Sequence, residues 1–226
     1  MDFVNLIKDG LKYATTDLKR VIIGGLLTIP GMYLLLIPFI FVLGYCYRSM
    51  QETISGNDVP PDFNEWGNLF KKGIGLIGVS IIYGVPVWIL MFGLLYASGA
   101  FSTVLETGWY PLWFYCLELV LCLTYGVFVT VAVLRYADKG NFGSAFNFGD
   151  IFDSLKKGYM DYVAVMILLF IVMILLAIPV AVVAVILMMT VIGIVIAIPL
   201  VGALFFCILV LEYRVFANIY RETNKL

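Results

Sequence analysis

The chain has no histidine, and its 226 residues include only 14 lysines and arginines. Without histidine, and without any Cys-x-x-Cys pair, the usual zinc and haem ligand sets are excluded. The cysteines Cys46, Cys116, Cys122 and Cys207 all fall in apolar stretches. They read as small hydrophobes, not as disulfide partners. No Gly-rich phosphate loop, catalytic triad or carboxylate pair at acid/base spacing occurs, so neither an enzyme nor a cofactor is expected. Asp150, Asp153 and Asp161 are spread over helix-start positions beside lysines and do not form a metal cluster. A net charge of −1 gives no reason to expect nucleic acid as a partner. The first residues lack a basic region before a short apolar run, so no cleavable signal peptide is expected.

What the chain has in excess is apolar length. Hydrophobic residues make up 63% of it, and the runs 21–47, 73–134 and 158–213 contain no Lys or Arg. Eighteen or more consecutive apolar residues suffice for a transmembrane helix. The basic residues gather between the runs: Lys8 to Arg20, then Arg48 with Lys71 and Lys72, then Arg135 with Lys139, Lys156 and Lys157. Arg214, Arg221 and Lys225 follow the last run. Basic residues favour the cytoplasmic face. The expectation is a multi-pass cell-membrane protein, all-α, with both termini and the loops 51–68 and 137–154 in the cytoplasm.

A threefold repeat organises this pattern, with units near 1–58, 59–140 and 141–226 in one membrane domain. Each unit opens on a segment ending near Lys and Gly: Phe3 to Gly10, Phe63 to Gly73, Phe148 to Gly158. Each apolar run then ends at a single arginine: Arg48, Arg135 or Arg214. In the second opening segment Phe63, Trp66, Phe70 and Ile74 share a helical face, and Phe148, Ile151, Leu155 and Tyr159 do so in the third. Asp62 and Asp150 are placed to favour the helix starts. Short amphipathic helices lying in the headgroup plane are expected, with Phe63, Trp66 and Phe70 as aromatic anchors, Arg48, Arg135 and Arg214 at the headgroups, and Lys71, Lys72, Lys156 and Lys157 available to anionic lipids.

With every arginine on one side, each run must enter the membrane and return, giving about four to six membrane segments. The second run spans over 73–97, turns around 99–109 beside Trp109 and Trp113, and returns over 111–134. The third turns near 188–193. Folded at Thr28-Ile29-Pro30-Gly31, the first run gives arms of roughly 20 Å, short of a hydrocarbon core of roughly 30 Å. It is therefore either a re-entrant hairpin, the favoured reading, or one tilted span.

Gly44-Tyr45 leading to Arg48, then Pro60-Pro61-Asp62-Phe63, Trp66-Gly67 and Gly73, resembles the prokaryotic domain of unknown function 4013 family. The Ile29-Pro30-Gly31 turn and the later Phe148 to Lys156-Lys157-Gly158 copy fit the same pattern. The resemblance implies a polytopic membrane protein over most of the chain and supplies no site residues.

Glu118 is the one ionisable residue well inside an expected span, roughly 13 Å along the axis from Trp109. A charge there costs on the order of 2–3 kcal/mol, which favours a protonated or hydrogen-bonded acid. Cys122 and Tyr125 continue its helical face, and Tyr83 on the preceding span reaches similar depth. These residues read either as a proton- or substrate-sensing site or as a structural acid between helices. Pro38, Pro86, Pro179 and Pro199 read as broken helices or as ordinary membrane prolines. Gly73, Gly75 and Gly78, and Gly93 with Ala97, offer surfaces for close helix packing. The favoured role is a non-enzymatic protein that organises lipid or binds other membrane proteins. The alternatives are a small transporter or channel with Glu118 in its pathway, and an accessory subunit.

Overall fold

The computed structural model describes residues 3–33 and 36–225, with no strand among them. In lipid a backbone without outside partners must satisfy its own polar groups, and helices do so. The elements are α1 (Phe3–Thr15), α2 (Leu18–Tyr33), α3 (Leu36–Ser55), α4 (Trp66–Ala97), α5 (Ala100–Thr107), α6 (Leu112–Lys139), a 3-10 turn (Phe142–Phe146), α7 (Phe148–Met188) and α8 (Val191–Lys225). The helices Trp66–Ala97, Leu112–Lys139, Phe148–Leu187 and Ile196–Asn224 are long and apolar enough to cross a membrane. They carry large exposed side chains, such as Ile89, Phe170, Leu175 and Val185, that only an apolar solvent would suit. The molecule is a membrane-embedded helical bundle.

The first run folds back on itself. Helix α2 continues through Pro30 to Tyr33, beyond the turn expected at residues 28–31, and α3 begins at Leu36. Both helices pack on α8, and α3 also packs on α4. From Arg20 to Tyr33 the hairpin reaches about 20 Å, against about 35 Å from Arg214 to Val191 along α8. It enters and leaves at the charged end without reaching the other, while Leu18, Ile22 and Leu26 form its exposed stripe.

Glycine sets how closely these helices approach. A Cβ at Gly44 would lie 2.0 Å from the Leu69 carbonyl oxygen, and one at Gly73 2.0 Å from that of Ile40, so α3 and α4 touch backbone to backbone. A Cβ at Gly202 would meet the Gly25 oxygen at 2.5 Å, closing the α2–α8 crossing in the same way. Gly75 gives room to the Tyr136 hydroxyl and Gly78 to the Phe142 ring. Gly93, by contrast, has nothing within 4 Å. The prolines do not break the helices: α4, α7 and α8 run on through Pro86, Pro179 and Pro199.

The opening segments take three forms. Helix α1 stands alone and packs along α8. In the second unit the helix starts only at Trp66 and runs unbroken into the span. Phe63 therefore sits outside it, stacked on Tyr45 at 4.4 Å. Asp62 does not cap α4; it binds Arg20 at 2.9 Å. In the third unit Phe148 opens α7 with Asp150 in its first turn, and Gly158, at φ −143 and ψ 20, kinks the helix before the apolar part.

At the charged end the arginines that end the runs latch the units together. Arg48 donates to Asn64, in the opening of the second unit. Arg135 pairs with Asp150, in the opening of the third. Arg214 returns to the first unit, donating to Asp9 at 3.2 Å, and also to Asp58 at 2.7 Å and Thr53 at 2.8 Å. Its guanidinium lies 4.3 Å over the Tyr13 ring.

Candidate functional site

Helices α4 and α6 pack together toward the charged end, where Tyr83, Tyr125 and Phe128 cluster with Phe146 and Phe148. Alongside that cluster and on past it, the two helices leave a groove of about 620 Å³. Gly84, with nothing within 4 Å of a Cβ, leaves part of one wall open. Met91, Phe114 and Leu121 line the groove, and the exposed Trp88 and Phe92 edge it toward the lipid side.

Glu118 lies on this groove and has an exposed side chain. No hydrogen bond or ion pair to its carboxylate is found among the described residues. Because α6 begins at Leu112, Glu118 is about 9 Å along the axis from the helix start, in the part of the span far from the charged end. The structure separates it from Tyr83. That tyrosine is buried and donates to the Ala145 carbonyl at 2.6 Å, tying α4 to the 3-10 turn. Tyr125 also lines the groove, but its hydroxyl donates to the Tyr83 carbonyl. The side chain of Cys122 lies outside the described residues.

The residues expected at the headgroups divide as well. Lys71, Lys156 and Lys157 are exposed. Lys72 turns inward, donating to the Tyr47 hydroxyl at 3.3 Å and to the Gly140 carbonyl at 3.4 Å. Trp66 and Phe70 both pack on Phe41, at 5.3 and 5.5 Å between ring centroids. Arg48, Arg135 and Arg214 are engaged in the latches.

Sequence reasoning missed one acid. Glu212, at the end of the third run and two residues before Arg214, lines a chamber of about 110 Å³ between the helices with Met50, Thr130 and Phe216. Ser80 and Val129 line both the chamber and the groove, so the two adjoin there. The available signal was helical register: Glu212 and Phe216 share a face one turn apart.

No curated protein and no solved structure matches the chain. A family model described as protein of unknown function (DUF4013) matches residues 31–185. That stretch takes in the Gly44–Gly73 motif, both walls of the groove and the kinked start of α7, and the chain belongs to this family.

Proposed function

We propose that this protein is a non-enzymatic membrane component that organises lipid by holding an amphiphile's chain in the groove between α4 and α6. The observation that carries the reading is an apolar groove of about 620 Å³ with its edge exposed toward the bilayer. Pockets of this size and lining take drug-sized apolar ligands. Its few polar side chains are poorly placed for covalent chemistry: Tyr125 is committed to a backbone carbonyl, and Glu118 has no described basic partner.

Filling the groove tests this. Gly84→Phe places a ring in it with no clash at Cβ, whereas Gly93→Phe fills open space away from the groove lining. In phosphatidylcholine vesicles containing a mid-chain spin-labelled lipid, the wild type should show a slowly exchanging component. Gly84→Phe should lose it and Gly93→Phe keep it. Equal spectra for all three proteins would refute the groove reading.

We further propose that the charged end faces the cytoplasm, as the basic residues gathered there favour. In intact cells, on a cysteine-free background, Ser102→Cys should react with an impermeant maleimide and Asn57→Cys should not. The reverse pattern would invert the topology.

A further inference from the structure

The chamber at Glu212 has the charge and position of a headgroup site. Glu212 is about 3 Å along α8 from Arg214, at the level of the charged end. No hydrogen bond or ion pair to its carboxylate is found among the described residues. The nearby basic groups are used elsewhere: Arg214 on Asp9 and Asp58, Arg135 on Asp150, Lys72 on Tyr47 and Gly140. Thr130 donates to the Gly126 carbonyl at 2.9 Å, which leaves its oxygen free to accept. Phe216 adds an aromatic ring to the lining.

At about 110 Å³ the chamber has room for several waters or one small ammonium group. It meets the groove at Ser80 and Val129, and from Val129 to Glu118 the groove follows α6 for about 16 Å. A molecule with its head at Glu212 and its chain in the groove would lie along the bundle, parallel to the lipids of the leaflet at the charged end. We propose that the chamber seats the primary ammonium head of a long-chain amphiphile, with Glu212 as its counter-charge and Ser80 and Thr130 as hydrogen-bond acceptors. This inference rests on the groove holding a chain.

The test uses the full chain in nonionic micelles with Trp66, Trp109 and Trp113 changed to Phe, so that Trp88 on the groove reports binding. The probes are tetradecylamine, tetradecanol and tetradecanoic acid. The amine should bind tighter than the alcohol, and the acid weakest. Glu212→Gln should weaken the amine by about tenfold or more, the worth of one charge-assisted hydrogen bond, and leave the alcohol unchanged. Glu118→Gln should leave the amine's advantage in place. Should Glu212→Gln prevent folding, Glu212→Asp serves, because it withdraws the carboxylate and should weaken the amine alone.

If no probe binds, the groove reading itself falls. If amine and alcohol bind equally, the groove stands and the head site is overturned. Loss of the amine's advantage in Glu118→Gln, with Glu212→Gln or Glu212→Asp like wild type, also overturns it.

Discussion

A methyl group added at Gly44 or Gly73 is expected to lower the melting temperature more than the same change at any open glycine. Each Cβ would stand 2.0 Å from a backbone carbonyl oxygen on the facing helix, which cannot rotate away as a side chain would. Overpacking costs about 1–3 kcal/mol, and a backbone obstacle puts these sites at the upper end of that range. Gly84→Ala and Gly93→Ala, with nothing within 4 Å, should melt with wild type or slightly above it, because alanine is the better helix former. The double variant Gly44→Ala/Gly73→Ala should lose less than the sum, since parting α3 from α4 once relieves both clashes. Thermal unfolding in nonionic micelles, with size exclusion to count folded protein, makes the comparison. Gly44→Ala and Gly73→Ala both melting with wild type would mean that α3 and α4 do not cross this closely.

The second large effect belongs to Arg214. Its side chain is 2% exposed, whereas those of Asp9 and Asp58 are 52% and 73% exposed. Arg214→Met should therefore be tolerated moderately well, because the freed carboxylates return to water. Asp9→Asn with Asp58→Asn should be far worse, at about 3–5 kcal/mol, because it leaves a buried guanidinium without a counter-charge. Either single Asn change keeps one partner and should be mild. If Arg214→Met proves more damaging than the double Asn variant, then packing of the arginine stem, and not its charge, holds the end together.

Acid should loosen the same contact. The Arg214 guanidinium, by its hydrogen bond first, holds the Asp58 carboxyl below its ordinary value. A lowered carboxylate stabilises the fold above the unfolded value of about 3.9, and that contribution disappears as pH falls through the folded value. Melting temperature should thus drop on acidification below about pH 4, and less steeply in Asp58→Asn. The drop is small, because so exposed a carboxylate is screened by solvent.

The architecture could be read from the chain because lipid allows few solutions. Clustered Lys and Arg, with apolar runs between them, specify hairpins that share one end, and the second and third turns fall where that pattern puts them. Distances between non-neighbours were not legible. Tyr83 looks like a partner for Glu118 by depth alone, but its hydroxyl reaches Ala145, 62 residues away. Lys72 looks identical to Lys71, yet one helix step turns it from the surface to Tyr47. Gly73 and Gly93 look equivalent until the facing helix is known. Glu212 was hidden by Arg214, since an acid beside a base at the end of an apolar run looks like interface. Its chamber depends on Met50 and Ser80, which are far away in sequence.

The latch from Arg214 to Asp9 joins residues 205 apart, so it bears on how the protein is made. At about 5–20 residues per second, the first hairpin, which ends at Ser55, is made roughly 8–32 s before the arginine that secures it. Over that interval the Gly25 seam has no partner, because Gly202 lies on the same last helix. The early hairpin must wait in the membrane with bare backbone on one side, a form suited to insertion factors and to quality-control proteases. A chain stopped before α8 would remain in that state. Its fate would then be set by how quickly the cell removes it, and not by the stability of the parts already made.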